Sequence, residues 1–143
     1  MRIRKATEKD VNKIYSFGKR VHELEFSSKY PFHWRSELLE SVNDKNSVLL
    51  IAEDEEIVGF LLAKIIFHRA GGWCMLDNIA VKKEFRGNGI SDLLLEKLYS
   101  ILKKRKVHYV QVLEEIYREN TRKFWKHQGF EETKNFIWAE KWV

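Results

Sequence analysis

A single cysteine, Cys74, leaves this chain unable to form an intrachain disulfide. That excludes a disulfide-stapled secreted scaffold and fits a reducing, cytoplasmic setting. Cys74 lies inside an apolar strand run, where a buried structural thiol is favoured over a nucleophile. Long apolar runs are missing too: none nears the ~20 residues of a membrane helix. The start, Met1-Arg2-Ile3-Arg4-Lys5, is charged with no apolar region behind it, unlike a secretory signal. Repeats, linkers and low-complexity segments are absent, and proline occurs once, at Pro31. With 143 residues, one domain spanning 1–143 is expected.

Apolar residues make up 44% of the chain and charged residues 33%, enough for a real core under a well-solvated surface. The net charge is +5. The cations are spread and mixed with carboxylates, so a nucleic-acid partner is not expected. The one dense run, Lys103-Lys104-Arg105-Lys106, falls where a helix should end and where cations favour the helix dipole.

Residues 2–6 alternate around Ile3 and read as a short strand. Thr7 with Asp10 resembles a capping box, and Val11, Ile14, Phe17, Val21 and Leu24 mark one helix face. Gly18 weakens that helix slightly. A loop over 26–33 leads to a second helix over 34–42. Strands over 48–52 and 57–67 are joined by the acidic turn Glu53-Asp54-Glu55-Glu56. Gly71-Gly72 turns the chain back into a third strand over 73–81. A helix over 90–104 keeps Ile90, Leu94, Leu98, Ile101 and Leu102 at three-or-four spacing. A strand over 107–113 follows, then a short helix from Asn120 or Thr121 to His127, stopped by Gly129. Phe130 and residues 136–143 finish the sheet. The order is mixed α/β with a mostly antiparallel sheet.

Between the third strand and the long helix sits Arg86-Gly87-Asn88-Gly89-Ile90-Ser91. Two glycines one residue apart allow a turn without side-chain interference. The helix behind them aims free N–H groups and a positive dipole end at the turn, which suits phosphate. A dinucleotide fingerprint would need glycine where Asp92 stands, and no Gly-Lys-Ser/Thr P-loop occurs. Taken alone, the loop is also compatible with a plain strand-to-helix turn.

The run Asn78-Ile79-Ala80-Val81, four residues, then Arg86-Gly87-Asn88-Gly89-Ile90 and a Leu-rich helix resembles the GNAT superfamily of acetyl-CoA-dependent N-acetyltransferases. The superfamily hallmark is Gln or Arg, any two residues, Gly, any residue, then Gly or Ala. Arg86, Gly89 and Ser91 hold those positions, and Ser91 is a small substitute whose hydroxyl can bond phosphate. Ile57-Val58-Gly59 opens the strand over 57–67, as is common there. Phe124-Trp125-Lys126-His127-Gln128-Gly129-Phe130 resembles the second motif.

The resemblance implies a central sheet of about seven strands flanked by four helices and splayed for acetyl-CoA. It implies acetyl-CoA as co-substrate and no metal. Backbone N–H groups of Gly87, Asn88, Gly89, Ile90, Ser91 and Asp92 would take the pyrophosphate, with Arg86 alongside. Ile79, Ala80 and Val81 would bond the pantetheine arm as a substitute strand, and N–H near Ile79 would polarise the thioester carbonyl. A primary amine, on a small molecule or a peptide, would attack directly in a ternary complex. Deprotonating an amine of pKa ~10 at neutral pH costs roughly 4 kcal/mol, so a carboxylate base is expected.

Two positions depart from the family. Trp125 holds the usual tyrosine acid position, which makes Tyr117 the candidate acid. Arg118 holds the usual CoA-contacting asparagine position. A two-residue deletion would bring Asn120 into that role, or Asn120 is only a helix cap. The same deletion makes Glu115 the candidate base, with Asp77 and Glu53 as lesser ones. Phe26, Tyr30, Phe32, His33 and Trp34, beside Glu37 and Glu40, form either an acceptor wall or a hydrophobic plug. The missing tyrosine also admits a non-catalytic acetyl-CoA-binding sensor or partner subunit, and a homodimer is compatible with either.

Overall fold

Two apolar runs, 48–52 and 57–63, flank the acidic turn and build the centre of the sheet. The computed structural model describes residues 1–25, 32–69 and 71–143. They fall into two compact units, Met1–Val112 and Leu113–Val143.

In the first unit, β1 (Arg2–Lys5) leads through a 3-10 turn into α1 (Val11–Gly18), followed by α2 (Arg35–Asn43). β2 (Ser47–Glu53), β3 (Ile57–His68) and β4 (Gly71–Val81) come next, then α3 (Ile90–Lys104) and the short β5 (Val110–Gln111). Strand order is the chain order, β1 through β5. β1–β2, β2–β3 and β3–β4 are antiparallel and β4–β5 is parallel.

Alternation turns Leu49 and Ile51 to one face, where they join Ile14, Phe17 and Leu38 of α1 and α2. Val48 and Leu50 turn to the other face, which α3 covers with Leu94, Leu95, Leu98 and Leu102. Each large side chain buried this way contributes about 1.5–3 kcal/mol. The layers fix both ends of β4, where the site lies.

α3 spans the expected residues. The acidic turn closes as a hairpin, with Asp54 N–H donating to Glu56 O at 3.0 Å. Three expectations need correction. The helix expected to run to Leu24 stops at Gly18, because Phe32 lies on it: a Cβ at Gly18 would sit 2.1 Å from the Phe32 ring. The chain continues into a 3-10 turn, His22–Leu24. The strand expected over 107–113 is only Val110–Gln111, paired with Cys74 and Met75. Neither Phe130 nor 136–143 forms a strand, so the described sheet has five strands rather than about seven. A strand exists through its ladder, and these segments have none.

In the second unit, α4 (Glu119–His127) is the one regular element among the described residues. Trp125 is buried against the edges of Phe124 and Phe130, at 4.9 and 5.0 Å between ring centres. Among the described residues, no helix is long and apolar enough to cross a membrane.

Candidate functional site

β4 carries the first feature of the site. Leu62 faces Asn78 and Ala63 faces Leu76, so Asp77 is an extra residue in the ladder. Such a bulge bends the strand and re-aims side chains. β5 pairs only with Cys74 and Met75, so no described strand pairs with that edge of β4 beyond Met75. Lys82 N–H donates to Val58 O at 2.8 Å, toward β3. By alternation Ile79 and Val81 turn their backbone groups to the unpaired edge. Arg86 Nε donates to Val81 O at 3.0 Å and folds the following loop back onto the strand end.

The loop is the second feature. Gly87 and Gly89 have φ of 79° and 71°, a left-handed conformation that costs other residues about 1–2 kcal/mol. Gly89 caps α3, whose first bond runs from Leu93 N–H to Gly89 O. The N–H groups of Ile90, Ser91 and Asp92 therefore have no acceptor inside the helix. A Cβ on Gly59 would meet Ala80 O at 3.1 Å and Ile90 Cγ2 at 3.3 Å, so glycine there seats the start of α3 close on the sheet. An open cleft of about 360 Å³ adjoins the loop, lined by Arg20, Lys82, Lys83 and Arg86 with Glu23 and Glu84. Lys82 Nζ is already paired with Glu56 at 2.7 Å; backbone donors beside Arg20, Lys83 and Arg86 fit a phosphate-bearing ligand, and a Cβ on Gly87 would meet nothing within 4 Å.

The third feature surrounds the bulge. Asp77 is half-buried, and burial pushes its carboxyl above the usual carboxylate range, with Lys64 and His33 partly opposing. His33, itself buried, sets Nε2 2.8 Å from Asn78 Oδ1. Its Nδ1 lies 3.5 Å from Glu37 Oε2, which also accepts from Trp34 N–H at 2.8 Å. Asp77 thus holds a proton more readily than an ordinary carboxylate, beside a polar chain that reaches the start of α2. Sequence reasoning missed the His33–Asn78 pair, because the two are 45 residues apart and only the packing of the segment before α2 against β4 brings them together. Glu53 is spent on structure, accepting from Arg4 Nε and Nη2 at 2.9 Å each. Cys74 is fully buried and its thiol is pushed up to about 12, so it stays protonated.

Phe32 is a plug, 3% exposed in the core between α1 and β3. Phe26 and Tyr30, the other half of the expected acceptor wall, lie outside the described residues. In the second unit, Glu115 is exposed, and Arg118 Nε donates to it at 2.5 Å. Tyr117 is 92% exposed. Asn120 sits in the first turn of α4, one residue inside the helix rather than at its cap. Glu114 differs from its neighbour: its Oε1 is buried with no hydrogen-bond partner among the described residues. Burial and then Glu132 push that carboxyl upward.

Residues 10–130 match the family model described as Acetyltransferase (GNAT) family. No curated protein sequence matches the chain. Solved structures match it over nearly its whole length. A mutant of the BH1408 protein from Bacillus halodurans superposes with a TM-score of 0.82 at 20% identity, covering 99% of this chain and 100% of that one. An aminoglycoside antibiotic 6'-N-acetyltransferase from Acinetobacter baumannii gives 0.79 at 16% identity, covering 99% and 98%. An aminoglycoside acetyltransferase from an uncultured soil metagenomic sample gives 0.76 at 17%, covering 98% and 96%. At these identities the likeness is one of fold. The family match spans most of the chain, and it runs through the glycine turn and the bulged, open-edged β4 that the fold assembles. The chain belongs to the GNAT acetyltransferase family and is an acyltransferase with the mixed α/β GNAT fold.

Proposed function

We propose that the protein transfers the acetyl group of acetyl-CoA to a primary amine by direct attack in a ternary complex. The observation that carries this reading is the meeting of an unpaired β4 edge with the glycine turn that opens α3. Acetyl-CoA supplies the activated thioester. N–H groups from Gly87 to Asp92 hold its pyrophosphate, with Arg86 and the neighbouring cations screening the charge. Backbone groups of Ile79, Ala80 and Val81 hold the pantetheine arm as an added strand.

Asp77 takes the proton from the attacking amine. It is supported by burial, which raises its proton affinity, and by its bulge at the open edge. His33 and Asn78 position the bulge. The second unit's candidates are Glu115 as the rival base, Tyr117 as the acid and Asn120 as a CoA contact. Glu114 is the alternative base there, since its buried oxygen lacks a partner. An acceptor that is a small amine or a peptide amino group is supported by the aminoglycoside acetyltransferases of like fold. A single catalytic domain over 1–143 is supported by a family match that crosses both units. A cytoplasmic setting is supported by the lone, buried Cys74.

The test pairs a thermal shift with a CoA-release assay over a panel of amines and peptides. Acetyl-CoA at a hundred times its dissociation constant should stabilise the fold by about 2.7 kcal/mol. CoA release should depend on the amine. Stabilisation without release on any amine would favour the sensor instead. Neither effect would remove the assignment of the loop.

A further inference from the structure

We propose, taking Asp77 as the base of the proposed acetyl transfer, that the acceptor is a zwitterion: a free α-amino acid whose amine lies at Asp77 and whose carboxylate pairs with Lys64. The starting observation is which groups share a face of the sheet. Phe60 and Leu62 of β3 belong to the core beneath α1 and α2. Alternation turns Lys64 and Ile66, further along β3, to that same face. Their register partners on β4 are Met75 and Trp73, and Leu62 faces Asn78. Asp77 is the extra residue between Leu76 and Asn78. Its carboxyl feels both Lys64 and His33, and His33 is bonded to Asn78 at 2.8 Å. The Asp77 carboxyl and the Lys64 amine therefore share one face, with Ile66, Trp73 and Met75 as an apolar floor beside them.

Lys64 is not spent elsewhere: it makes no hydrogen bond or ion pair among the described residues. Asp44, the other carboxylate in its field, accepts from Asn46 N–H at 3.0 Å and from Ser47 Oγ at 2.9 Å. Asp77 lies two residues beyond the partner of Lys64, and such diagonal neighbours stand roughly 7–8 Å apart. The two charges act on each other across that gap without closing it. A zwitterion bridges it. Its ammonium donates to Asp77 and its carboxylate accepts from Lys64, each through a charge-assisted bond of about 2.7–2.9 Å. An apolar side chain, as of phenylalanine or leucine, then lies on the floor of Ile66, Trp73 and Met75. A polycationic amine would instead set further ammonium groups against Lys64, which disfavours it. In the transfer the amine nitrogen bonds the acetyl carbon as the C–S bond breaks. One ammonium proton passes to Asp77 and on to water. The second neutralises the departing thiolate, which leaves CoA thiol and an N-acetyl acid. The product has lost its cation, and with it the charged bond to Asp77.

CoA release from the full chain is measured with phenylalanine and leucine, each against its own amide. The amide keeps the amine and the side chain and loses the carboxylate charge. The parent should favour acid over amide ~10-fold or more in kcat/KM. Lys64→Ala should erase that preference and Lys64→Glu should invert it, while Lys64→Arg keeps it. Calorimetric binding of the same compounds to the CoA-loaded protein reads the same ratios without turnover. That separates this inference from the reading beneath it: binding that follows the Lys64 series with no CoA release removes Asp77 as the base and leaves the zwitterion site standing. An amide favoured over its acid marks a peptide end as the acceptor and overturns the proposal. A Lys64→Ala variant that weakens acid and amide alike overturns it as well, as does a parent that binds neither acid.

Discussion

Two arginine forks of nearly equal geometry sit in the two units. Arg4 donates to Asp10 at 2.8 and 3.0 Å, and Arg122 donates to Glu132 at 2.6 and 2.7 Å. Their surroundings differ. The Asp10 side chain is 8% exposed, while Arg122 and Glu132 are 36% and 50% exposed. Asp10 also accepts from Thr7 N–H at 2.8 Å, completing the expected capping box, and Arg4 reaches on to Glu53 of β2. The first fork therefore ties β1, β2 and the start of α1 into one object. The second closes a short stretch of surface around α4. Distance alone does not rank an ion pair; burial and what it joins do. The first unit is a packed scaffold that carries the β4 bulge and the glycine turn, and the second carries its fork at the surface.

The largest expected effect falls on chemistry in the first unit. Asp77→Asn should cut turnover ~100-fold or more while acetyl-CoA affinity stays nearly intact, as read by kcat against a thermal-shift affinity. Its folded pKa is raised, so its stabilising contribution belongs to the protonated form and is lost as pH rises through the folded value. Asp77→Asn removes that loss, and the variant should melt no lower than the parent at pH 7. Activity of the parent should fall as pH drops through the same raised value. Glu114→Gln, Glu115→Gln and Tyr117→Phe should cost less. If one of them instead abolishes turnover, the chemistry resides in the second unit and the contrast breaks.

Packing comes next. Gly18→Ala forces the Phe32 ring off α1, because the new Cβ would lie 2.1 Å from it. Denaturant unfolding should show a loss of about 2–3 kcal/mol, the cost of overpacking a tight core. An unchanged midpoint would mean that Phe32 is free to move and that the plug is not part of the scaffold.

The buried fork is of similar size. Arg4, with help from Thr7, holds the Asp10 carboxyl at about 2 against an ordinary 3.8. A depressed carboxylate stabilises above its unfolded pKa and loses that as pH falls through the folded one. The window is therefore from about 4 down to about 2. Asp10→Asn should cost about 2 kcal/mol at pH 7 and should flatten the parent's acid limb in that window.

The sequence shows these differences unevenly, for physical reasons. The span of α3 was readable whole, because Ile90, Leu94, Leu98 and Leu102 keep helical spacing and lysines close the C-terminus. The hairpin and the glycine turn were readable because turns carry local chemistry. The bulge at Asp77 was not, since it exists only in the register of β3 against β4. The early end of α1 was not, since it depends on Phe32 arriving from fourteen residues away. The tail reads as a strand, and its composition is that of one. What periodicity could not supply was a neighbour, because a strand's stability comes from its pairs.

The smallest effect is expected at the exposed fork, and it is the sharpest check on the contrast. Arg122→Ala removes two short hydrogen bonds to Glu132 and a third to Ile116 O at 3.1 Å. Glu132, the charge left behind, is half exposed to water, so the change leaves it solvated and not buried. Raising the salt concentration should do the same to the pair without mutation, since exposed charges are screened. The unfolding midpoint of Arg122→Ala should stay where the parent's is, at low and high salt alike. A fall comparable to that of Asp10→Asn would show the fork shielded in solution by a neighbouring surface. Burial, and not fork geometry, would then fail to separate the two ion pairs, and the contrast between them would break.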